Sequence, residues 1–159
     1  MSFTTPDLCD AHEGQVSVVA PMFRRYGGRA AFSGQISTVK CFEDNSLVRE
    51  ALGKPGAGKV LVVDGGGGLR CALVGDQLAA LGQTNGWAGI VVYGCIRDSA
   101  AISRMDIGVR ALDTHPLKSV KRGVGQADEA VSFGGVRFVP GHYLYADDDG
   151  IIVSPVPLA

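Results

Sequence analysis

The alternation of short apolar runs with amphipathic segments in the middle of the chain is the feature that most constrains its fold. Residues 60–63 and residues 90–93 are continuous apolar runs, which are typical of strands buried on both faces. The segments 45–52, 75–81 and 98–105 are predicted to be helices. Strands that alternate with helices in this way form βαβ units. The sequence therefore predicts some parallel sheet at the centre of the fold.

Both ends of the chain are predicted to be rich in strands and poor in helix. The predicted strands outside the centre are residues 16–20, 35–39, 109–112, 136–139 and 151–153. Residues 143–149, which include three consecutive aspartates, are predicted to form a solvated turn before the last strand. We therefore predict one mixed α/β domain over residues 1–159, with layered sheets and short helices.

Charge and hydropathy argue against several classes of protein. The 159 residues carry a formal net charge of −1, so there is no basic field to attract nucleic acid. No apolar run approaches the roughly 18 residues of a membrane span, and the N-terminus has no signal-peptide pattern. The four cysteines form no CxxC motif, which favours free thiols in a reducing compartment. We expect a cytoplasmic protein that binds neither nucleic acid nor membranes.

Two glycine-rich segments come close to nucleotide-binding motifs but do not satisfy them. After residues 53–59 a P-loop would need Ser or Thr, and the next residue is Val60. Residues 65–68 are all glycine, but Arg70 and Cys71 stand where a dinucleotide-binding loop needs its third glycine. We expect a solvated turn at the first segment. At the second we expect a flexible turn that lets another backbone pass closely.

The first of two strand-to-helix junctions that can carry chemistry lies at Gly75. Gly75, Asp76, Gln77 and Leu78 open a predicted helix. The free N–H groups at a helix N-terminus form a seat for a carboxylate, and glycine lets a ligand come close. Asp76 is a candidate to hold a metal-bound water or to act as a general acid or base.

The second junction carries Arg97 and Asp98, which follow the predicted strand at residues 90–93. Arg97 offers a bidentate fork to a carboxylate or an oxyanion. Asp98 offers the hard oxygen that Mg²⁺ or Mn²⁺ prefers, and such an ion takes only one or two carboxylates. Adjacent strands are about 5 Å apart, so the two junctions open on one pocket if their strands are close neighbours. A cation there would act as a Lewis acid on a small 2-oxo acid and stabilise the enolate that forms when its C3–C4 bond breaks.

The residues alone leave simpler interpretations open. Asp76 can be only a helix cap, and Arg97 with Asp98 can be only a surface ion pair worth under about 1 kcal/mol. A Schiff-base aldolase would instead need a desolvated lysine, for which Lys40, between two apolar residues, is the best candidate.

Several dispersed segments, in order along nearly the whole chain, resemble the regulator of ribonuclease activity A family, also called RraA-like. They include Leu8-Cys9-Asp10, Tyr26-Gly27-Gly28-Arg29, Val62-Val63-Asp64-Gly65, Gly94-Cys95-Ile96-Arg97-Asp98 and Phe133-Gly134-Gly135-Val136. The family includes divalent-metal-dependent 4-hydroxy-4-methyl-2-oxoglutarate aldolases. The cleaving members carry G-D-x-L, with twenty residues between its Asp and a later R-D, and here twenty residues separate Asp76 from Arg97.

The resemblance implies a swivelling β/β/α fold that assembles as a ring-shaped homotrimer with sites near the subunit boundaries. It implies that the backbone of residues 75–78 and the Arg97 side chain bind substrate, that Asp98 ligates Mg²⁺ or Mn²⁺, and that Asp76 works through a water. The implied reaction is retro-aldol cleavage of 4-hydroxy-4-methyl-2-oxoglutarate to pyruvate. The family's aldolases also decarboxylate oxaloacetate, because both reactions pass through the pyruvate enolate. The family name implies an alternative, a non-catalytic protein that inhibits an endoribonuclease.

Overall fold

The computed structural model describes residues 2–159. Within this range the helices are α1 (Thr5–Ala11), α2 (Ser46–Leu52), α3 (Asp76–Thr84) and α4 (Ser99–Ile102). The strands are β1 (Ser17–Val18), β2 (Arg24–Arg25), β3 (Phe32–Lys40), β4 (Val60–Asp64), β5 (Ala72–Val74), β6 (Gly89–Ile96), β7 (Gly108–Thr114), β8 (Gln126–Ala127), β9 (Val131–Phe133), β10 (Val136–Phe138), β11 (Tyr143–Ala146) and β12 (Ile151–Ser154). None of these helices is long and apolar enough to cross a membrane.

A parallel sheet forms the centre of the fold, as the alternation of apolar runs predicts. Strands β3, β4, β6 and β7 are neighbours in that order, and each adjacent pair is parallel. β5 joins them by pairing in parallel with the carboxyl end of β6. On the far side of β3 the sheet continues through the antiparallel strands β11, β12 and β1. The predicted mixed α/β fold class is confirmed.

Both faces of the central sheet are buried, and successive residues of a strand serve opposite faces. In β4, Leu61 and Val63 pack with residues of α2 and α3. Val60 and Val62 pack instead with the β9–β10 hairpin and with β11 and β12. All four side chains are 0% exposed, and each such burial stabilises the fold by roughly 1.5–3 kcal/mol. The helices, the central sheet and the second β layer therefore stack in the α/β/β order that the resemblance implies.

β11 corrects the prediction for residues 143–149. The expected solvated turn is wrong for the first four of them, which pair with both β3 and β12. Leu144 and Tyr145 are buried on opposite faces, one in the core beside β4 and one against α1. Only the aspartates that follow form a turn, in which the N–H of Asp149 donates to Asp147 Oδ1 at 2.9 Å.

The helices also differ in part from the prediction. α1 was not expected, although its signals are present: Thr4 caps it by accepting a hydrogen bond from Asp7 N at 3.2 Å, and Pro6 lies in its first turn. The helix predicted over residues 98–105 is shorter and ends at Ile102. Beyond it, Met105 N donates to a carbonyl only three residues back, which tightens the chain and ends the α-helical pattern.

The glycine run at residues 65–68 makes a turn against β6. The N–H groups of Gly65 and Gly67 both donate to the Tyr93 carbonyl, each at 3.1 Å. A Cβ on Gly65 would lie 2.8 Å from that carbonyl oxygen, and Gly66 and Gly67 have a φ of +69°. The expected turn, which lets another backbone pass closely, is confirmed.

Phe32, at the start of β3, is packed over two glycine positions of the sheet. Gly89 of β6 lies opposite Gly108 of β7, and a Cβ at either position would overlap the Phe32 ring. The guanidinium carbon of Arg110 lies 5.1 Å from the centre of the same ring. The ring therefore fills the space that the two absent side chains leave.

We expect Gly108→Ala to lower the free energy of unfolding by about 1–3 kcal/mol, because the methyl group must displace Phe32 in a close-packed core. Urea unfolding followed by circular dichroism measures this change. The matched control is Gly150→Ala, where an added Cβ meets nothing within 4 Å, and its effect should stay within about 0.5 kcal/mol. Equal losses in the two variants would contradict the packing role of Gly108.

Candidate active site

The pairing of β5 with β6 brings the two predicted junctions to the same edge of the sheet. Val74 lies opposite Ile96 in this pair, and the N–H of Arg97 donates to the Val74 carbonyl at 2.9 Å. Gly75 therefore leaves β5 beside the point where Arg97 leaves β6. The two strands are direct neighbours, which is the condition under which both junctions open on one pocket.

Asp98 joins the two junctions through its side chain. Its Oδ2 accepts a hydrogen bond from the backbone N–H of Asp76, the first residue of α3, at 3.0 Å. Asp98 has φ +59° and ψ +39°, a left-handed conformation that is uncommon outside glycine, although aspartate adopts it more readily than most residues. Backbone strain of this kind concentrates at functional sites, where the surrounding structure enforces it.

The simpler interpretations of these residues are not supported by the geometry. Within residues 2–159, the side chain that caps α3 is that of Asp98. The side chain of Asp76 does not cap the helix, and the N-cap residue, Gly75, has no side chain to do so. Arg97 and Asp98 are not among the ion pairs of that part of the chain. Lys40 is exposed and does not line the same cleft, so the desolvated lysine that a Schiff base needs is not found there.

Gly75 is required for space and not for its backbone conformation. Its φ of −120° and ψ of −168° are extended values that any residue adopts. A Cβ at this position, however, would lie 2.8 Å from Asp98 Oδ2 and 3.4 Å from both Cγ and Nε of Arg97. The missing side chain therefore lets the carboxylate and the guanidinium approach the start of α3.

These residues line a cleft of about 130 Å³. All of the predicted site residues are present in its wall: Gly75, Asp76, Gln77, Leu78, Arg97 and Asp98. The volume is well below the roughly 300–1,000 Å³ of pockets that bury drug-sized ligands. The cleft is therefore sized for a ligand smaller than a drug-sized molecule.

Further residues line the cleft that the sequence analysis did not find. They are Asn45, Arg49, Ala72, Lys118, Ser119 and Lys121. The only signal for the lysines is the basic character of an irregular stretch near residue 120, which shows no periodicity. Asn45 has a buried Oδ1 with no hydrogen-bond partner in residues 2–159, and such an orphaned acceptor is typical of a place where water or a ligand donates.

The charges of the cleft favour an anionic ligand. Its cationic side chains are Arg49, Arg97, Lys118 and Lys121, whereas its carboxylates are Asp76 and Asp98. The amides of the first turn of α3 add partial positive charge, because they have no carbonyl partner within the helix. Together they offer a carboxylate both charge-assisted hydrogen bonds and a helix N-terminus.

The donor set fits a hard cation that keeps most of its waters. No group of three or more His, Cys, Asp or Glu side chains within residues 2–159 is placed to hold a metal. The cleft does contain the carboxylates of Asp98 and Asp76, and Mg²⁺ binds through one or two carboxylates plus water and substrate oxygens. Zn²⁺, which prefers nitrogen and sulfur ligands in a closed tetrahedral set, does not fit these residues.

The fold and the site define a layered α/β protein with a cleft, lined by basic side chains, at the carboxyl ends of parallel strands. The profile of the RraA-like family, described as Aldolase/RraA, matches residues 5–153. The chain therefore belongs to the RraA-like family. A relative from Aromatoleum aromaticum, named "Putative 4-hydroxy-4-methyl-2-oxoglutarate aldolase", is 68% identical over 154 residues, covering 97% of this chain and 97% of the relative.

Two solved structures are similar over their whole length. One, from Geobacillus kaustophilus, is described as S-adenosylmethionine:2-dimethylmenaquinone methyltransferase; it is 51% identical, has a TM-score of 0.96, and the match covers 98% of this chain and 97% of that one. The other is the RNA-processing inhibitor RraA of Thermus thermophilis, which is 43% identical with a TM-score of 0.96, over 100% of this chain and 96% of that one. The names of these similar proteins thus describe three different activities. The residues of the cleft are the evidence for choosing among them.

We expect Gly75→Ala to break the hydrogen bond between Asp76 N and Asp98 while the protein stays folded. This bond is exposed to solvent, so we expect a net contribution of about 0.5–1.5 kcal/mol, and exchange of the Asp76 amide proton should accelerate about two- to tenfold. Hydrogen exchange by NMR measures it, with Gly150→Ala as the control. Unchanged protection of that amide in Gly75→Ala would show that the carboxylate does not need the space.

Proposed function

We propose that the chain is a divalent-metal-dependent lyase that cleaves 4-hydroxy-4-methyl-2-oxoglutarate into two molecules of pyruvate. The observation that carries the proposal is the juxtaposition of Arg97, Asp98 and the N-terminus of α3 around one small cleft. Relatives at high identity bear the name of this aldolase, which supports the same reaction. The cationic lining suits a substrate that carries two carboxylates.

In the proposed mechanism the protein first binds and orients one end of the substrate. The 1-carboxylate binds at the free amides of Gln77 and Leu78, and the guanidinium of Arg97 donates to the 2-oxo oxygen or to the carboxylate beside it. Asp98 would hold Mg²⁺ or Mn²⁺, and this ion would supply Lewis-acid polarisation of the 2-oxo acid. Arg97 and the α3 amides are already in place before substrate arrives, so little reorganisation is needed when negative charge develops.

Asp76 is the proposed base and acid, acting through a water. The base accepts the proton of the 4-hydroxyl group, the C3–C4 bond breaks to release one pyruvate, and the electron pair forms the enolate of the other. The same water returns the proton to C3 of this enolate, which gives the second pyruvate. Oxaloacetate loses its C4 carboxylate as CO₂ to form the same enolate, so decarboxylase activity is part of the proposal.

Methyl transfer from S-adenosylmethionine is not supported by this site. The glycine run at residues 65–68 forms the turn that is hydrogen-bonded to the Tyr93 carbonyl, and it does not line the cleft. The cleft is also small for a nucleoside-containing cofactor.

Purified protein with Mg²⁺ or Mn²⁺ should release pyruvate from oxaloacetate and from 4-hydroxy-4-methyl-2-oxoglutarate, and EDTA should abolish both reactions. A coupled lactate dehydrogenase assay measures the product. Arg97→Ala should reduce kcat by about 10²–10³-fold, as the loss of one oxyanion donor does. Asp98→Ala should remove the metal dependence together with most of the activity.

Two exposed residues outside the cleft provide matched controls for this experiment. Arg137→Ala and Asp10→Ala change the same residue types and should retain full activity. Undiminished turnover in EDTA would rule the mechanism out, and equal losses in Arg97→Ala and Arg137→Ala would remove the argument for this cleft.

A second candidate function is inhibition of an endoribonuclease through the protein surface. The similarity to the RNA-processing inhibitor RraA, at a TM-score of 0.96, favours it. An inhibitor of this kind needs no catalytic cleft, so it should be unaffected by Arg97→Ala. A pull-down and an RNA-cleavage assay with a purified bacterial endoribonuclease test this candidate: inhibition that survives Arg97→Ala supports a remote surface, and absence of binding by the wild-type chain removes it.

The homotrimer implied by the family resemblance stays a prediction. Two side chains that flank the cleft residues Lys118 and Ser119 in the chain are apolar and exposed, Leu117 at 59% and Val120 at 60%. A subunit boundary beside the cleft would cover such residues.

A further inference from the structure

The segment between β7 and β8 forms part of the cleft wall without regular structure of its own. Residues 115–125 contain no helix or strand, apart from one isolated bridge between Lys118 and Ala72. The segment nevertheless contributes Lys118, Ser119 and Lys121 to the cleft. Of its side chains only that of Ser119 is buried, so packing alone does not hold the segment in place.

A buried carboxylate just before α2 holds this segment. Asp44 is 3% exposed, and its Oδ2 accepts hydrogen bonds from the backbone N–H groups of Arg122 at 2.8 Å and Val124 at 3.1 Å. Its Oδ1 accepts from the backbone N–H of Ser46 at 2.9 Å and from the Ser46 hydroxyl at 2.6 Å. Both oxygens are therefore fully used as acceptors, two bonds each.

The residues next to Asp44 add further bonds to the same segment. Ser46 Oγ accepts from Gly123 N at 3.1 Å, and Asn45 N donates to Ser119 Oγ at 3.2 Å. The Glu43 carbonyl accepts from Val120 N at 3.2 Å. Residues 43–46, which we call the latch, thus bind the segment at successive points on either side of Lys121.

The latch requires Asp44 to be ionised, and its surroundings ensure that it is. Burial alone would raise the pKa of Asp44, but the hydrogen bonds from Ser46, Val124 and Arg122 outweigh burial and hold the pKa well below its ordinary value. An amide in the same place has only one acceptor oxygen, and its NH₂ group would face N–H donors.

We propose that Asp44 is a positioning residue, whose hydrogen bonds to residues 122 and 124 place Lys118 and Lys121 where they bind the second carboxylate of a dicarboxylic 2-oxo acid. This inference rests on the proposed function for its substrate class. Arg97 and the α3 amides hold the end of the substrate that reacts, and Lys118 and Lys121 hold the other end. Asp44 acts on the substrate only through these lysines.

Binding measurements on a matched pair of ligands test the proposal without turnover. 2-Oxoglutarate and 2-oxopentanoate have the same chain length and differ in the C5 carboxylate, and 2-oxoglutarate lacks the 4-hydroxyl group that retro-aldol cleavage needs. Calorimetry in the presence of Mg²⁺ should show that the wild-type chain binds 2-oxoglutarate at least about tenfold more tightly. Asp44→Asn should reduce this preference to about threefold or less, with the affinity for 2-oxopentanoate changed less than about twofold.

Limited proteolysis measures how firmly the latch holds residues 115–125, independently of any ligand. Trypsin cleaves after Lys118, Lys121 and Arg122, and cleavage at these sites should be at least about tenfold faster in Asp44→Asn than in the wild-type chain. The matched control is Asp10→Asn, which changes an exposed aspartate of α1. Ser46→Ala removes the hydroxyl group that bonds both Asp44 and Gly123, and it should produce the same changes at smaller size. It is the variant to use if Asp44→Asn fails to fold.

The outcomes separate the latch from the reaction. Lys118→Ala/Lys121→Ala should lose the preference for 2-oxoglutarate as Asp44→Asn does. A preference that survives in Asp44→Asn, or an equal loss of affinity for both ligands, would overturn the proposal. A wild-type chain without any preference would overturn it too, whereas a wild-type chain that prefers 2-oxoglutarate but cleaves no substrate would overturn only the proposed function.

Discussion

The hydrogen bond from the amide of Asp76 to the carboxylate of Asp98 is the interaction on which the cleft depends. It ties the start of α3 to the residue before α4, and it forms because Gly75 leaves room for it. The left-handed backbone of Asp98 costs of order 1–3 kcal/mol, and this solvent-exposed hydrogen bond contributes about 0.5–1.5 kcal/mol. The bond offsets only part of the strain, so the surrounding fold must hold this geometry.

The fold supplies that support through the parallel sheet. β6 is buried on both faces and pairs with β4, β5 and β7, so the carboxyl ends of these strands are held beside one another. Arg97 leaves this rigid frame directly. Lys118 and Lys121 instead lie on an irregular segment. It is bridged to β5 at Lys118 and is held beyond that point by hydrogen bonds to residues 43–46. The cleft thus has one wall formed by the rigid sheet and a second wall whose position depends on the buried carboxylate of Asp44.

The predictable parts of the molecule are those whose signal is local. β4 and β6 were predicted because a strand buried on both faces is a continuous apolar run, and α3 because its apolar residues share one side. β11 was not predicted, since the aspartates that follow Tyr143–Ala146 suggested a turn and its pairing with β3 joins residues far apart in the chain. Arg49, Lys118 and Lys121 carry no local signal that separates them from other surface cations.

The sequence by itself determined the central βαβ units and the two junctions at Gly75 and Arg97, because burial patterns and helix starts depend on neighbouring residues. Only the tertiary structure decided that Asp98, and not Asp76, caps α3, and that residues 118–121 complete the cleft. The bond between Val124 and Asp44 spans 80 positions, and nothing in either neighbourhood specifies the other. Such contacts follow from the register of the sheet and the packing of its layers, which the whole chain determines at once.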